Sequence, residues 1–184
     1  MSHRLGDWMI TYTGRKFWPL DPLAEEVHIE DIAHALSVIC RFGGHTQEFY
    51  SVAQHSCLVA DLVATKTQDK LTLLTALLHD AAEAYTGDVI RPIKKHQPEL
   101  VRIEDAVMFA IAQRFWLHRR PICDGHVVIK WADEVILNNE ICQLIAAEPG
   151  VFELADVPIV SIGRLWSPSQ AKHEFLERFN EFSG

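Results

Sequence analysis

The segment Leu73 to Asp88 constrains this chain more than any other. Leu73, Leu74, Ala76, Leu77, Leu78 and Ala81 make it apolar enough to be buried, and no Gly or Pro interrupts it before Gly87. A helix is the expected form. Into this apolar run the sequence sets His79, Asp80 and Glu83. An unpaired ionisable group costs several kcal/mol to bury, so these three need partners. On one continuous helix His79 and Asp80 are neighbours able to converge on a single ion. Glu83 lies one turn beyond both on the same face. A metal ion answers the burial of the first two, and a histidine hydrogen-bonded to a carboxylate in a core answers it equally. The remaining chain has to decide between them.

At 184 residues, 48 % of them hydrophobic, one domain spanning 1–184 is expected. No apolar run approaches the roughly 20 residues of a membrane span. The first residues lack the basic and apolar regions of a signal peptide, so a cytoplasmic protein with no membrane partner is expected. The four cysteines form no CxxC pair and read as small reduced hydrophobes. A formal net charge of −8 argues against a nucleic-acid polymer as partner. It leaves room for a small anion held by local cations.

The architecture expected is all-α: a compact bundle of about six helices with a small N-terminal β-hairpin. Trp8 to Thr13 alternates and is rich in β-formers, Gly14 breaks it, and Arg15 to Leu20 resumes before Asp21-Pro22. Helical stripes follow at about 29–41, 49–64, 68–85, 98–116, 126–147 and 169–182. Polar loops are expected at 118–125 and around Pro158–Ser167, and Pro149-Gly150 is a stop. Within the helices, His55 shares a face with Val59 and Leu62, and Asp133 falls in a stripe with Ile129, Ile136 and Leu137.

His55, His79, Asp80 and Asp133 are therefore ionisable groups on inward faces of three helices. Two imidazoles and two carboxylates suit a divalent transition ion such as Co²⁺, Mn²⁺, Zn²⁺ or Fe²⁺. Such an ion lowers the pKa of bound water and polarises a phosphoryl oxygen. Arg41, Lys94 and Lys130 are candidate phosphate partners, and Glu83 and Asp88 candidate proton-handling groups.

The ordered set Arg41, Val52-Ala53-Gln54-His55-Ser56, His79-Asp80-Ala81-Ala82-Glu83, Thr86-Gly87-Asp88 and Asp133 resembles the H…HD…D signature of the HD-domain phosphohydrolases. Within that superfamily it is similar to the bacterial 5′-deoxynucleotidases. With the spacing of Pro92, Lys94 and Lys130 it is more similar still to the small phage and bacterial dATP triphosphohydrolases. The resemblance implies His55, His79, Asp80 and Asp133 as metal ligands. It implies Arg41 on the 5′-phosphate, Glu83 as acid or base, and Asp88 on sugar or water. Phe42 stands where the deoxynucleotidases carry a Trp that crowds the ribose 2′-position, so an aromatic wall is kept while the residue differs.

The function expected is hydrolysis at the 5′ α-phosphorus of a nucleotide. Lys94 and Lys130 favour a triphosphate substrate and the resemblance implies deoxyadenosine, hence a dATP triphosphohydrolase releasing deoxynucleoside and triphosphate, with Mg²⁺ accompanying the triphosphate and a homo-oligomer as the assembly. The alternative is a 5′-deoxynucleotidase acting on deoxynucleoside monophosphates. More remote readings are a cyclic-nucleotide or ppGpp hydrolase and a non-enzymatic nucleotide sensor.

Overall fold

The computed structural model describes residues 4–117, 123–146 and 156–184. Eight helices occur among them: α1 (Ile29–Val38), α2 (Val52–Ala64), α3 (Lys70–Leu77), α4 (Glu83–Thr86), α5 (Arg91–Lys94), α6 (Pro98–Arg114), α7 (Cys123–Leu144) and α8 (Pro168–Ser183). A hairpin of β1 (Met9–Ile10) and β2 (Lys16–Phe17) precedes them, antiparallel, with Met9 opposite Phe17 and Ile10 opposite Lys16. The all-α expectation with a small hairpin is met. Most of the loop expected at 118–125, and the Pro149-Gly150 stop, lie outside the described residues. No helix among the described residues is long and apolar enough to cross a membrane.

Helix α2 is the axis of the bundle. It packs on α1, α3, α7 and α8, and α8 also lies against α1 and α3. Nine residues of α2 are buried, including Val52, Ala53, Val59, Ala60 and Val63 together with the polar Gln54, His55 and Ser56. Three polar side chains are buried here because each edge of the helix meets another element. The Gln54 amide, for instance, donates to the Arg164 carbonyl and accepts from the Trp166 backbone N–H. Ser51 starts α2 as its N-cap, accepting from Gln54 N–H at 3.2 Å. Leu36, Leu77, Leu78, Ile111, Ile136 and Phe175 are among the fully buried side chains that close the core around α2.

Two features of the sequence reading change in the structure. The segment before α2 is not helical from residue 49. Cys40 and Ser51 form an isolated antiparallel bridge, with Val52 N–H donating to the Ile39 carbonyl and Arg41 N–H to the Tyr50 carbonyl. Arg41 therefore follows a bridge instead of ending α1, which stops at Val38.

The continuous helix expected over 68–85 is also broken. After α3, His79, Ala81, Glu83 and Tyr85 each donate to the carbonyl three residues back. That is the tighter 3-10 winding. His79 Nδ1–H also donates to the Ala76 carbonyl at 2.7 Å, taking an acceptor that an α-helix would reserve for the backbone. At about three residues per turn Glu83 eclipses Asp80, so the catalytic candidates crowd onto one edge. The hairpin braces this segment from behind, where Phe17 stacks on Tyr85 with ring centroids 3.9 Å apart.

Candidate functional site

His55 from α2, His79 and Asp80 from the tight turns after α3, and Asp133 from α7 converge on one point. His55 Nε2 lies 3.3 Å from His79 Nε2, 3.6 Å from Asp80 Oδ2 and 3.2 Å from Asp133 Oδ1. His79 Nε2 lies 3.3 Å from Asp80 Oδ2 and 4.0 Å from Asp133 Oδ1. His55 is fully buried, while the other three are partly open to solvent.

The chemistry of this donor set fits a metal ion. His55 Nδ1 faces Glu140 Oε1 at 2.7 Å, and His79 Nδ1 faces a backbone carbonyl. Both are acceptors, so both Nδ1 atoms carry the ring proton and both Nε2 atoms present lone pairs to each other and to two carboxylates. Lone pairs at these separations repel unless a cation lies among them. Ligand distances of about 2.0–2.2 Å around one divalent ion put neighbouring donors roughly 3 Å apart, which matches the spacing here. His55, His79 and Asp80 each offer a ligand atom within 4.8 Å of the others, close enough to share one ion.

Without an ion, protons must do the same work. Burial and the nearby Arg41 push the His55 ring pKa down, but Glu140 and the hydrogen bonds to Asp133 and Glu140 outweigh them and raise it to about 9. Asp80 is pushed up by burial, yet the adjacent His79, then His55 and Arg41, hold it far below the usual carboxylate range. Asp133 is likewise held down, burial being outweighed by the His55 hydrogen bond.

Arg41 stands at the rim of this cluster, 9 % exposed, with Nη1 3.6 Å from Asp80 Oδ2. Burial works against its charge, and Glu140 and Asp80 outweigh that, so the guanidinium stays protonated. Phe42, the next residue, adopts φ 54° and ψ 27°, a left-handed conformation that costs an L-residue roughly 1–2 kcal/mol. The consequence is that its ring turns back under the Arg41 guanidinium, with Cζ 5.4 Å from the ring centroid.

Glu83 opens α4 and is buried, with Oε2 lacking any hydrogen-bond partner. Burial, then Asp80 and Asp88, raise its pKa to about 9, so the carboxyl is protonated at neutral pH. Gly87 ends α4 at φ 80° and ψ 158°, a region essentially confined to glycine, and so turns Asp88 back toward the cluster. Asp88 is half-buried and raised by burial and Asp80, against the pull of Arg41.

The remaining predicted residues divide. Lys94, on α5, is half-buried and pairs with Glu104 of α6 at 2.7 Å. It also acts electrostatically on Glu83. Pro92 is exposed in the first turn of α5, where proline suits a helix start. Lys130 is exposed on α7, one turn before Asp133.

Sequence reasoning missed Glu140 and Tyr50. Glu140 is fully buried on α7, where it takes four hydrogen bonds or ion pairs: Tyr50 OH and His55 Nδ1–H on Oε1, both at 2.7 Å, and Arg41 Nε and Nη2 on Oε2, both at 3.2 Å. Burial pushes its pKa up, but the His55 and Arg41 charges and these hydrogen bonds bring it down to about 2. The signal was available. Glu140 continues the Ile129–Asp133–Ile136 stripe one turn further.

A helical bundle that gathers a histidine, a His-Asp dipeptide and a distant aspartate at one point defines an HD-type domain. Residues 31–115 match the family model described as 5′-deoxynucleotidase YfbR-like. The uncharacterized protein YfdR of Escherichia coli K-12 is 34 % identical over 177 residues, which is 94 % of each chain. An uncharacterized protein of Rhodobacter capsulatus is 39 % identical over 142 residues, covering 74 % of this chain and 72 % of that one. The chain belongs to the YfbR-like family of HD-type nucleotide phosphohydrolases. The match carries the name of the deoxynucleotidase side of the resemblance, which backs that alternative better than the dATP triphosphohydrolase that Lys94 and Lys130 favour.

Proposed function

We propose that this protein is a divalent-metal-dependent 5′-deoxynucleotidase that hydrolyses deoxynucleoside monophosphates to deoxynucleoside and phosphate. The observation that carries the choice is the distribution of cations. Arg41 is buried beside the His–Asp cluster and suits one phosphate, whereas Lys94 is already paired with Glu104, so of the three predicted phosphate partners the exposed Lys130 is left to meet two further phosphates by itself. A triphosphate brings two further phosphates into a protein of net charge −8, and it needs cations free to meet them. The family match supports the same choice.

In this reading His55, His79, Asp80 and Asp133 hold the ion. Bound there, it supplies an activated water and polarises a phosphoryl oxygen. Co²⁺, Mn²⁺, Zn²⁺ and Fe²⁺ all suit the mixed imidazole–carboxylate set. Arg41 binds the phosphate and offsets the charge that develops on it, from a position where water is largely excluded. Phe42 supports the guanidinium and walls the sugar. Glu83 holds its proton at neutral pH and delivers it to the 5′-oxygen as the P–O bond breaks. Asp88 orients the sugar or the water beside it. Since Glu83 is not needed to complete the metal's shell, Glu83→Ala should cut kcat by about 10²-fold or more while substrate still binds.

The test is orthophosphate release from a panel of deoxynucleoside and ribonucleoside 5′-monophosphates by protein loaded with Co²⁺ or Mn²⁺. Release from the deoxy series supports the reading. A protein that binds metal and releases no phosphate from any monophosphate overturns it.

A further inference from the structure

Glu140 touches neither the point where the four ligand atoms meet nor open solvent, yet it is bonded to both halves of the site. Its Oε1 holds the Nδ1–H of His55, the most deeply buried of the four ligand candidates. Its Oε2 holds two donors of Arg41, the buried cation at the rim. Tyr50 OH adds a fourth donor. Each oxygen thus receives two donors, and the carboxylate has no further capacity.

We propose that Glu140 is a positioning residue that couples the metal-binding and phosphate-binding halves of the site through one shared carboxylate. The inference rests on His55 as metal ligand and Arg41 as phosphate contact. The carboxylate acts on each half. On the first, a carboxylate accepting from Nδ1–H fixes the tautomer with Nε2 unprotonated, points that lone pair at the ion and makes the ring more basic. On the second, an arginine at the end of an isolated bridge has four rotatable side-chain bonds. A hydrogen bond from Nε and an ion pair from Nη2, both to one fixed oxygen, remove most of that freedom, leaving Nη1 toward Asp80 and the substrate side. Residues 41, 50, 55 and 140 come from three separate elements, so the same carboxylate also sets the distance between the bridge and α7. An apolar residue here would strand four buried donor groups.

The same geometry says what a glutamine can do. An amide has one acceptor oxygen and one NH₂, so Glu140→Gln can serve His55 and Tyr50 or serve Arg41. It cannot serve both.

The test reads binding without turnover, so it is independent of whether the protein is a nucleotidase. Co²⁺ affinity is measured by competition with a chelator, and inorganic phosphate affinity on the Co²⁺-saturated protein. Folded Glu140→Gln should lose about 10–100-fold in Co²⁺ affinity, the usual effect of losing such an outer partner, or tenfold or more in phosphate affinity. Tyr50→Phe removes only the fourth donor, so it should lower the thermal midpoint and leave Co²⁺ affinity close to wild type. A folded Glu140→Gln that retains both affinities overturns the proposal.

If that variant does not fold, the wild type decides. In the Zn²⁺-loaded protein, ¹H–¹⁵N spectra should show His55 protonated at Nδ1, with a low-field, slowly exchanging proton. A His55 ring protonated at Nε2, or an Nδ1–H that exchanges rapidly, overturns the proposal. So does a wild-type protein that binds neither Co²⁺ nor phosphate, and that outcome alone removes the proposed function as well.

Discussion

The imidazole rings of His55 and His79 meet Nε2 to Nε2 at 3.3 Å, each with its Nδ1 proton committed to an acceptor on the far side. Two lone pairs facing one another are unfavourable without a cation, so the folded protein should gain stability from metal. At a metal concentration 100 times Kd the gain is about 2.7 kcal/mol. For a chain of this size each kcal/mol moves the thermal midpoint by about 2–4 °C. Protein stripped by chelator and reloaded with Co²⁺ or Mn²⁺ should therefore melt several degrees higher. An unchanged midpoint under saturating metal would mean the cluster is closed by protons and does not bind an ion.

Asp80 separates metal binding from folding. Its side chain is 24 % exposed, it lies outside the apolar core, and its Oδ2 approaches both histidines and Arg41. Asp80→Ala should keep the helical content seen by circular dichroism while losing stoichiometric metal and nearly all activity. Retention of one ion per chain by elemental analysis would show that Asp80 is not a ligand.

The four convergent residues were legible because burial makes them conspicuous. A histidine and an aspartate inside runs of Leu, Val and Ala demand partners, and helical spacing shows which way they face. The bundle was legible for the same reason, as most of its helices carry clear apolar stripes. What the spacing did not show was the break after Leu77. Propensity favours a continuous helix through Leu78-His79-Asp80-Ala81-Ala82, but the His79 side chain takes the Ala76 carbonyl and the chain winds tighter. The bridge between Cys40 and Ser51 was hidden too, since a single pair of residues carries no periodicity. Glu140 was overlooked although it shares the stripe of Asp133. A carboxylate two turns on reads as solvated unless its partners on other elements are known, and those partners are Tyr50, His55 and Arg41.

Glu83 predicts a pH dependence of stability in the metal-free protein. Its folded pKa of about 9 lies above the ordinary 4.5, so the folded state holds a proton that the unfolded state releases across that interval. Stability then falls as pH rises from about 4.5 through 9. The raised His55 acts in the same direction, its contribution being complete below 6.5 and lost as pH passes about 9. Thermal melts in chelator should therefore decline from pH 5.5 to 8.5. Glu83→Gln, a neutral isostere, should flatten part of that decline and melt above wild type at pH 8.5. If the two proteins track each other across the range, the buried carboxyl does not titrate as described.

Lys94 is a brace before it is a phosphate contact. Its pairing with Glu104 Oε2 at 2.7 Å ties α5 to α6, and the other oxygen of that carboxylate, Oε1, is buried with no hydrogen-bond partner. Lys94→Ala should lower stability by about 1–3 kcal/mol, the cost of a stranded buried acceptor. Its effect on kcat/KM should be similar for dAMP and dATP. A loss confined to dATP would place Lys94 on the phosphate tail.

The central claim is that one phosphate, and not three, fills the site beside Arg41. Its most direct measurement is kcat/KM for dAMP and dATP on the same Co²⁺- or Mn²⁺-loaded preparation, with the inorganic product identified for each. Faster turnover of dAMP is expected, with orthophosphate and deoxyadenosine as products. Turnover of dATP to deoxyadenosine and tripolyphosphate at the higher kcat/KM, with dAMP left intact, would contradict it.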